Sequence, residues 1–225
     1  MIDQLPSYVY VIFILITFIT AWLFCRSTVS YKTTAIVLSV WLLLQAVISY
    51  AGFYLKINSA QPPYQMALLL FPMVVAIVLL FVTSAGRTYL DGFDIKKLTW
   101  LHVVRIPVEL VIWWWWLYKL VPKGMTFEGA NPDIFSGISA LIIAYLANTA
   151  KGINNKLLLA WNIICLLLVL NILTRGILSL PTPFQQLGSD QPNTAILYFP
   201  FIWLPACIVP LVVLSHLIAI RKLIK

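Results

Sequence analysis

Long apolar blocks alternate with short polar connections along this sequence, and the pattern predicts seven membrane-spanning helices. A helix rises about 1.5 Å per residue, so about 20 mostly apolar residues are needed to cross a hydrocarbon core about 30 Å thick. The predicted spans cover residues 8–25, 34–55, 64–84, 100–120, 133–150, 157–180 and 196–220. The sequence therefore predicts an all-α membrane protein in which residues 1–225 form one seven-helix bundle.

Lysine and arginine are concentrated in alternate connections between these spans. One set of connections contains Arg26, Lys32, Arg87, Lys96, Lys97, Lys151, Lys156, Arg221, Lys222 and Lys225. Only Lys56, Lys119 and Lys123 flank the other set. Because short cytoplasmic loops of membrane proteins collect Lys and Arg, we expect the N-terminus outside and the C-terminus in the cytoplasm.

Composition agrees with a membrane protein and excludes several other classes. The chain is 62% hydrophobic and 10% charged, against about 45–50% and about 25% in soluble domains. Its net charge of +8 does not indicate nucleic-acid binding, because the basic residues lie at span ends. Three cysteines do not suggest a disulfide framework. The expected partners are the lipid bilayer and a small-molecule ligand, and no oligomeric state is predicted.

Short loops without an N-glycosylation sequon favour a multi-pass protein of a bacterial inner membrane. The first residues contain Asp3 and no Lys or Arg, and no small-residue cleavage site closes the first apolar block. They are therefore not expected to be a cleaved signal peptide.

The fourth predicted span carries the most unusual residues. In the stretch WLHVVRIPVELVIWWWWLYK, His102, Arg105 and Glu109 recur at i, i+3 and i+7, which places them on one helix face. From the cytoplasmic end they lie about 5, 9 and 15 Å deep, so Glu109 is close to mid-bilayer. Ionisable groups inside a span are costly and mark functional sites by default. Gln45, on the second span, is expected near the depth of Glu109.

Two interpretations of Arg105 and Glu109 remain open. They could form an ion pair within one helix, which would be a buried strut. Alternatively, Glu109 could bind a ligand, or couple protons if the protein is a carrier. Pro107 lies between them and removes the hydrogen bond to the Val103 carbonyl, which favours a kink and a polar cavity.

The four tryptophans after Glu109 cannot all face one ligand, because consecutive residues point around the helix. Trp113 and Trp116 continue the polar stripe and are expected to wall a cavity above Glu109. Trp114 and Trp115 are expected in the aromatic belt at the outer interface.

On the sixth span, Asn171 and Arg175 share a face toward the outside and join the candidate site. Arg175 could partly extend outward to the membrane surface, or it could pair with Glu128 or Asp133. Asn131 is interpreted as a plain cap at the start of the fifth span.

The two histidines, His102 and His216, lie at similar depths on different spans. Both could simply reach the headgroup layer. A weaker alternative is a bis-histidine haem, or another metal centre, held between them. The seven-residue separation of His102 and Glu109 argues against both of them binding one ion.

The leading functional hypothesis is a non-enzymatic protein that binds or carries a small molecule at the fourth span. One alternative is a haem or metal redox protein or enzyme that uses His102 and His216. Another is a structural or assembly subunit in which Arg105 and Glu109 form the strut. No catalytic motif supports an enzyme, and the seventh span lacks the lysine that retinal would need. Its prolines, Pro200, Pro205 and Pro210, predict a bent element.

Overall fold

The chain is all-helical in the computed structural model, which describes residues 2, 5–149 and 152–225. The described ranges contain nine α-helices: α1 (Ser7–Arg26), α2 (Tyr31–Tyr50), α3 (Tyr64–Val82), α4 (Ser84–Asp91), α5 (Ile95–Leu101), α6 (Arg105–Leu117), α7 (Ile134–Asn148), α8 (Asn155–Leu178) and α9 (Val209–Ile224). Short 3₁₀ turns cover Tyr54–Lys56, His102–Val104, Lys123–Met125 and Ala195–Leu197, and Leu204–Ile208 is π-helical. The residues 150 and 151, named above at the end of the fifth span and among the basic residues, lie outside the described ranges.

Five segments are long and apolar enough to cross a membrane. They are α1, α2, α3, α8 and the continuous segment Leu204–Ile224, which joins the π-helix to α9. The prediction of an all-helical fold is therefore confirmed, and these five segments suggest membrane association. α7 is apolar but has only 15 residues, and the fourth predicted span is divided between α5 and α6.

The division of the fourth span follows from Pro107. A proline inside a helix lacks the N–H that would bond the carbonyl four residues back. The chain makes a 3₁₀ turn at His102–Val104 and starts α6 at Arg105. Pro107 then lies in the first turn of α6, where a missing N–H costs little. The predicted disruption is present, and it places Arg105 at the start of a helix.

Two predicted span boundaries are wrong. The second span was extended to residue 55, but α2 ends at Tyr50, and Gly52 has a positive φ of 75° that stops the helix. The seventh span was started at residue 196, but the continuous helix begins at Leu204. Pro200, which follows a cis peptide bond, therefore precedes the helix rather than bending it.

The π-helical turn is stabilised by a neighbouring tryptophan. Pro210 has no N–H, so the carbonyl of Ala206, four residues earlier, loses its helical partner. The indole N–H of Trp41 donates to this carbonyl across 2.7 Å. A side chain of α2 thereby satisfies the backbone group that the proline leaves free.

The basic connections meet at one end of the bundle. The N–H of Val29, between α1 and α2, donates to the Gly92 carbonyl, between α4 and α5, across 3.2 Å. Asp91 accepts hydrogen bonds from Arg221 and Lys225 at the end of α9. The bonds from Arg221 and then Lys225 hold the pKa of Asp91 well below its usual range. These contacts join three of the basic segments.

At the opposite end, two long connections pack on each other. The backbone N–H groups of Thr194 and Ala195 both donate to the Leu120 carbonyl, at 2.9 and 3.2 Å. The side chain of Gln191 donates to the Trp116 carbonyl across 3.1 Å. The connection 179–203 therefore covers the connection that follows α6.

The core at this end is aromatic and includes Trp115, which is fully buried. Its ring lies 4.8 Å from that of Phe201 and 5.7 Å from that of Phe13, measured between ring centroids. The prediction that Trp115 belongs to an interfacial belt is wrong. It lies on the face of α6 that packs against α1 and the connection before α9, so it is covered by protein.

α6 and α7 approach closely at Gly137. A Cβ atom at this position would lie 2.7 Å from Ile106 Cγ1 and 2.8 Å from the Ile106 backbone nitrogen. Such distances are too short for a carbon atom, and the backbone cannot yield cheaply. Glycine is therefore required for the contact that brings the start of α7 beside Arg105.

We expect Gly137→Ala to lower the free energy of unfolding by about 1–3 kcal/mol, the usual cost of overpacking. Gly176→Ala in α8 is the matched control, because its Cβ would lie at an ordinary 3.5 Å from Met125 Cε. Both variants gain helix propensity equally. Equal stability of the two in a denaturation series would contradict the close contact.

Candidate functional site

Arg105 is the centre of a buried polar cluster, and its ion-pair partner is Asp133. Arg105 Nε donates to Asp133 Oδ2 across 2.8 Å, and Nη2 donates to Oδ1. The two side chains are only 3% and 6% exposed. The prediction that Arg105 pairs with Glu109 is therefore wrong, because the partner of Arg105 is Asp133. Asp133, just before α7, faces the flat edge of the guanidinium and binds it through both oxygens, whereas Glu109 lies on the same helix as Arg105.

The same guanidinium also binds α8 and α9. Nη2 donates to the Cys165 carbonyl across 3.1 Å, and Nη1 lies 3.0 Å from His216 Nε2. A guanidinium can only donate, so His216 Nε2 must accept and its proton must be on Nδ1. That proton points to Asn162 Oδ1, 2.9 Å away. His216 is therefore a neutral imidazole with both ring nitrogens occupied.

His102 stacks on His216 rather than facing it across a gap. The two ring centroids are 3.8 Å apart with a 12° angle between the planes. Trp161 contacts both rings by its edge, at 5.5 and 5.8 Å. Haem ligation by two histidines needs a free nitrogen from each ring on opposite sides of one iron. The stacked geometry and the occupied nitrogens of His216 do not fit that arrangement.

Glu109 is buried and hydrogen-bonded, and it forms no ion pair with any described residue. Its Oε2 accepts from Asn131 Nδ2 across 2.7 Å. The same amide nitrogen donates to the Met125 carbonyl at 3.0 Å, and Asn131 Oδ1 accepts from the Asp133 backbone N–H at 3.2 Å. The interpretation of Asn131 as a plain cap is thus incomplete, because its side chain also holds Glu109.

Asn131 and Asp133 were not chosen as site residues from the sequence. The signal was the Asn-Pro-Asp sequence that precedes α7, a short apolar helix. Because α7 has only 15 residues, about 22 Å at 1.5 Å per residue, it is shorter than a bilayer core. Its first residues can therefore lie at the depth of α6 side chains.

Asn171 supports the connection that carries these residues. Its Nδ2 donates to the Ala130 carbonyl across 3.1 Å, and its Oδ1 accepts from Arg175 Nε across 3.2 Å. The predicted pairing of Arg175 with Glu128 or Asp133 is wrong. Asp133 is bound by Arg105. Asn171 and Arg175 thus hold the loop rather than contact Glu109.

A small cavity of about 70 Å³ borders Glu109. Its polar lining consists of Arg105, Glu109, Asp133 and Asn193, and the rest is apolar, from α3, α6, α8, the π-helix and α9. Asn193 Nδ2 donates to the Gly176 carbonyl across 3.1 Å, which fixes the orientation of the amide. Its buried Oδ1 has no hydrogen-bond partner among the described residues. Sequence reasoning missed Asn193, which lies in the proline-rich connection.

Residues 62–224 match the family model described as Domain of unknown function (DUF8737). The chain belongs to the DUF8737 family. No curated protein and no solved structure matches it.

The region shared with the DUF8737 family contains every residue of the Arg105 cluster and the cavity. Gln45, a predicted site residue, lies outside this region, and its side chain accepts a hydrogen bond from Tyr54. Burial raises the pKa of Tyr54, which lies in the connection after α2, to about 12. Gln45 therefore holds the end of α2, and the described lining of the Glu109 cavity does not include it.

The predicted aromatic wall of the cavity is also wrong. Trp113 donates through Nε1 to Glu128 across 3.0 Å, and Trp116 lies under the Lys123 ammonium at 5.4 Å. Neither ring belongs to the described cavity lining. Both tryptophans instead hold the connection after α6, because their positions on the helix point to its exposed rim.

The cluster predicts a clear order of stability effects in this DUF8737 protein. Asp133→Ala leaves a buried guanidinium unpaired, so we expect a loss of about 3–5 kcal/mol in the free energy of unfolding. Glu109→Gln keeps an acceptor for Asn131 and breaks no ion pair, so we expect a change of about 1 kcal/mol or less. Unfolding in mixed micelles measures both. Glu128→Ala removes an exposed carboxylate and is the control. A larger loss of unfolding free energy for Glu109→Gln than for Asp133→Ala would show that Glu109 is the ion-pair partner of Arg105.

Proposed function

We propose that this DUF8737 protein is a seven-span protein of a bacterial inner membrane that binds and carries a small molecule at the Glu109 cavity. The observation that carries the proposal is a buried carboxyl group, Glu109, that borders a cavity and forms no ion pair with the arginine on the same helix. A carboxyl group inside a membrane span is energetically costly, and such groups mark functional sites by default.

The seven-span topology adds two segments to the five long helices. One is α5 with α6, which follow each other across a single 3₁₀ turn, and the other is the short α7 with the buried residues before it. With these two, the basic connections fall together at one end and the connections 118–133 and 179–203 at the other. Lys and Arg are retained in the cytoplasm, which favours the N-terminus outside and the C-terminus inside.

The binding role is supported by irregular backbone around the cavity. The π-helix and Asp133, just before α7, contribute to the cavity lining, and the 3₁₀ turn His102–Val104 precedes Arg105, which also lines it. Irregular backbone at membrane depth is tolerated where it is buried in protein or lines a cavity. Carriers place such broken helices at their binding sites.

A structural or assembly role is the second candidate, and the Arg105–Asp133 pair favours it. This bidentate, buried pair together with the bonds to α8 and α9 would rigidify a subunit without any ligand. The pair does not account for the cavity beside Glu109 or for the free oxygen of Asn193. A ligand-binding measurement therefore separates the two roles.

A reporter fused after Lys225 tests the topology. We expect a cytoplasmic reporter to be active and a periplasmic reporter to be inactive, because the basic end of α9 stays inside. The opposite pattern would reverse the orientation. A second fusion in the exposed segment 58–61, on the other side, serves as the control and should give the opposite pair of results.

A screen of small molecules against the protein in nanodiscs tests the binding role. A ligand at a hundredfold excess over its dissociation constant should stabilise the fold by about 2.7 kcal/mol. Gly176→Leu places a side chain into the cavity lining and should abolish that shift, because the site is about 70 Å³. Thr174→Leu, which is exposed on the same helix, should retain it.

Retention of the shift in Gly176→Leu would show that the ligand binds elsewhere. If no compound stabilises the wild-type protein while Asp133→Ala still destabilises it, the structural role is favoured over binding.

A further inference from the structure

We infer that the ligand of the Glu109 cavity is a small organic ammonium ion, held by the Glu109 carboxylate and the Asn193 side-chain oxygen. This inference rests on the binding role proposed above and adds the chemical class of the ligand. It follows from the charge, the hydrogen-bonding groups and the lining of the cavity.

Glu109 is the one acidic group of the cluster that the described residues leave without an ion-pair partner. Arg105 is paired with Asp133 through two hydrogen bonds. His216 accepts from Arg105 and donates to Asn162, so it is neutral. A bound cation would pair with the ionised form of Glu109.

The free hydrogen-bonding capacity is mainly that of acceptors. Both N–H groups of the Asn131 amide are used, one by Glu109 and one by the Met125 carbonyl. Glu109 therefore receives one bond from Asn131, and an ionised carboxylate can accept about four. Asn193 lines the same cavity, and its buried Oδ1 has no partner in the described part of the chain. A ligand that donates hydrogen bonds satisfies both groups.

The remaining lining indicates an organic rather than a metal cation. The cavity is bordered mainly by aliphatic side chains, among them Ile172, Leu173, Ile208 and Val212. Hard metal cations need about six to eight oxygen ligands, and the Asp133 carboxylate is already committed to Arg105. An ammonium with a short alkyl group meets the two acceptors with its N–H groups and the aliphatic wall with its carbon atoms.

The size of the cavity limits the ligand to a few heavy atoms. About 70 Å³ is more than the about 10–15 Å³ that a water molecule needs, and much less than the about 300 Å³ of sites for drug-sized ligands. Methylammonium and ethylammonium are the appropriate probes.

Calorimetric titration of the full-length protein in nanodiscs with ethylammonium chloride tests the inference. Sodium chloride at equal ionic strength controls for salt, ethanol is the neutral analogue of similar size, and sodium acetate is the anionic one. We expect saturable binding of ethylammonium and no binding of acetate, with ethanol weaker by about tenfold or more, as for the loss of a charge-assisted hydrogen bond.

Three variants assign the contacts. Glu109→Gln should weaken ethylammonium binding by about tenfold to a hundredfold while leaving ethanol binding almost unchanged. Asn193→Leu should weaken it by a smaller factor. Glu128→Gln removes an exposed carboxylate that contacts Trp113, and it should bind ethylammonium as the wild type does.

The outcomes separate this inference from the binding role. If acetate or ethanol binds to the wild type as well as ethylammonium does, and Gly176→Leu blocks it, the cavity is a ligand site but the ammonium assignment is wrong. Ethylammonium binding that is unchanged in both Glu109→Gln and Asn193→Leu also refutes the assignment. The comparison of ethylammonium with ethanol uses only the wild-type protein, so it is decisive even if a variant fails to fold.

Discussion

The need to pair one buried cation organises this bundle. Arg105 is almost completely buried, and an unpaired charge in that place would cost several kcal/mol. Its nitrogen atoms reach the carboxylate of Asp133, the Cys165 carbonyl and His216. These partners belong to the start of α7, to α8 and to α9. A single guanidinium therefore links four helices, and its geometry fixes where the short α7 begins.

That pairing has a direct consequence for Glu109. Because Asp133 occupies the guanidinium, Glu109 is held by the Asn131 amide and keeps capacity for a further donor. Gly137 makes this division possible, since any larger residue would separate α7 from α6 and move Asp133 away from Arg105. Glu109 therefore has no ion pair with Arg105, because Asp133, from another segment, is the ion-pair partner of this arginine.

Sequence periodicity predicted that the chain is helical and that three polar residues share one buried face, but it did not predict helix boundaries or hydrogen-bond partners. The spacing of His102, Arg105 and Glu109 placed all three on one face, and all three are buried. The partner of Arg105 depended on how deeply the residues before α7 enter the bundle, which no local pattern encodes. The same reason explains the error at Trp115: its burial depends on Phe13 and Phe201, which are distant in the sequence. Asn193 was missed because proline-rich connections are expected at the surface, whereas this one folds back onto α8.

The site has two parts: residues that project from helices, and residues that lie in the connections between helices. Arg105 and His216 project from helices and are locked by hydrogen bonds in three directions. The groups that face Glu109 and the cavity from the other side, Asn131 and Asn193, lie in connections that are joined at Leu120. These connections are themselves packed into the main core through Val121, Leu180 and Phe201. The position of Glu109 is therefore fixed from one side by the hydrogen bonds of the Arg105 cluster and from the other by connections that are buried in the bundle.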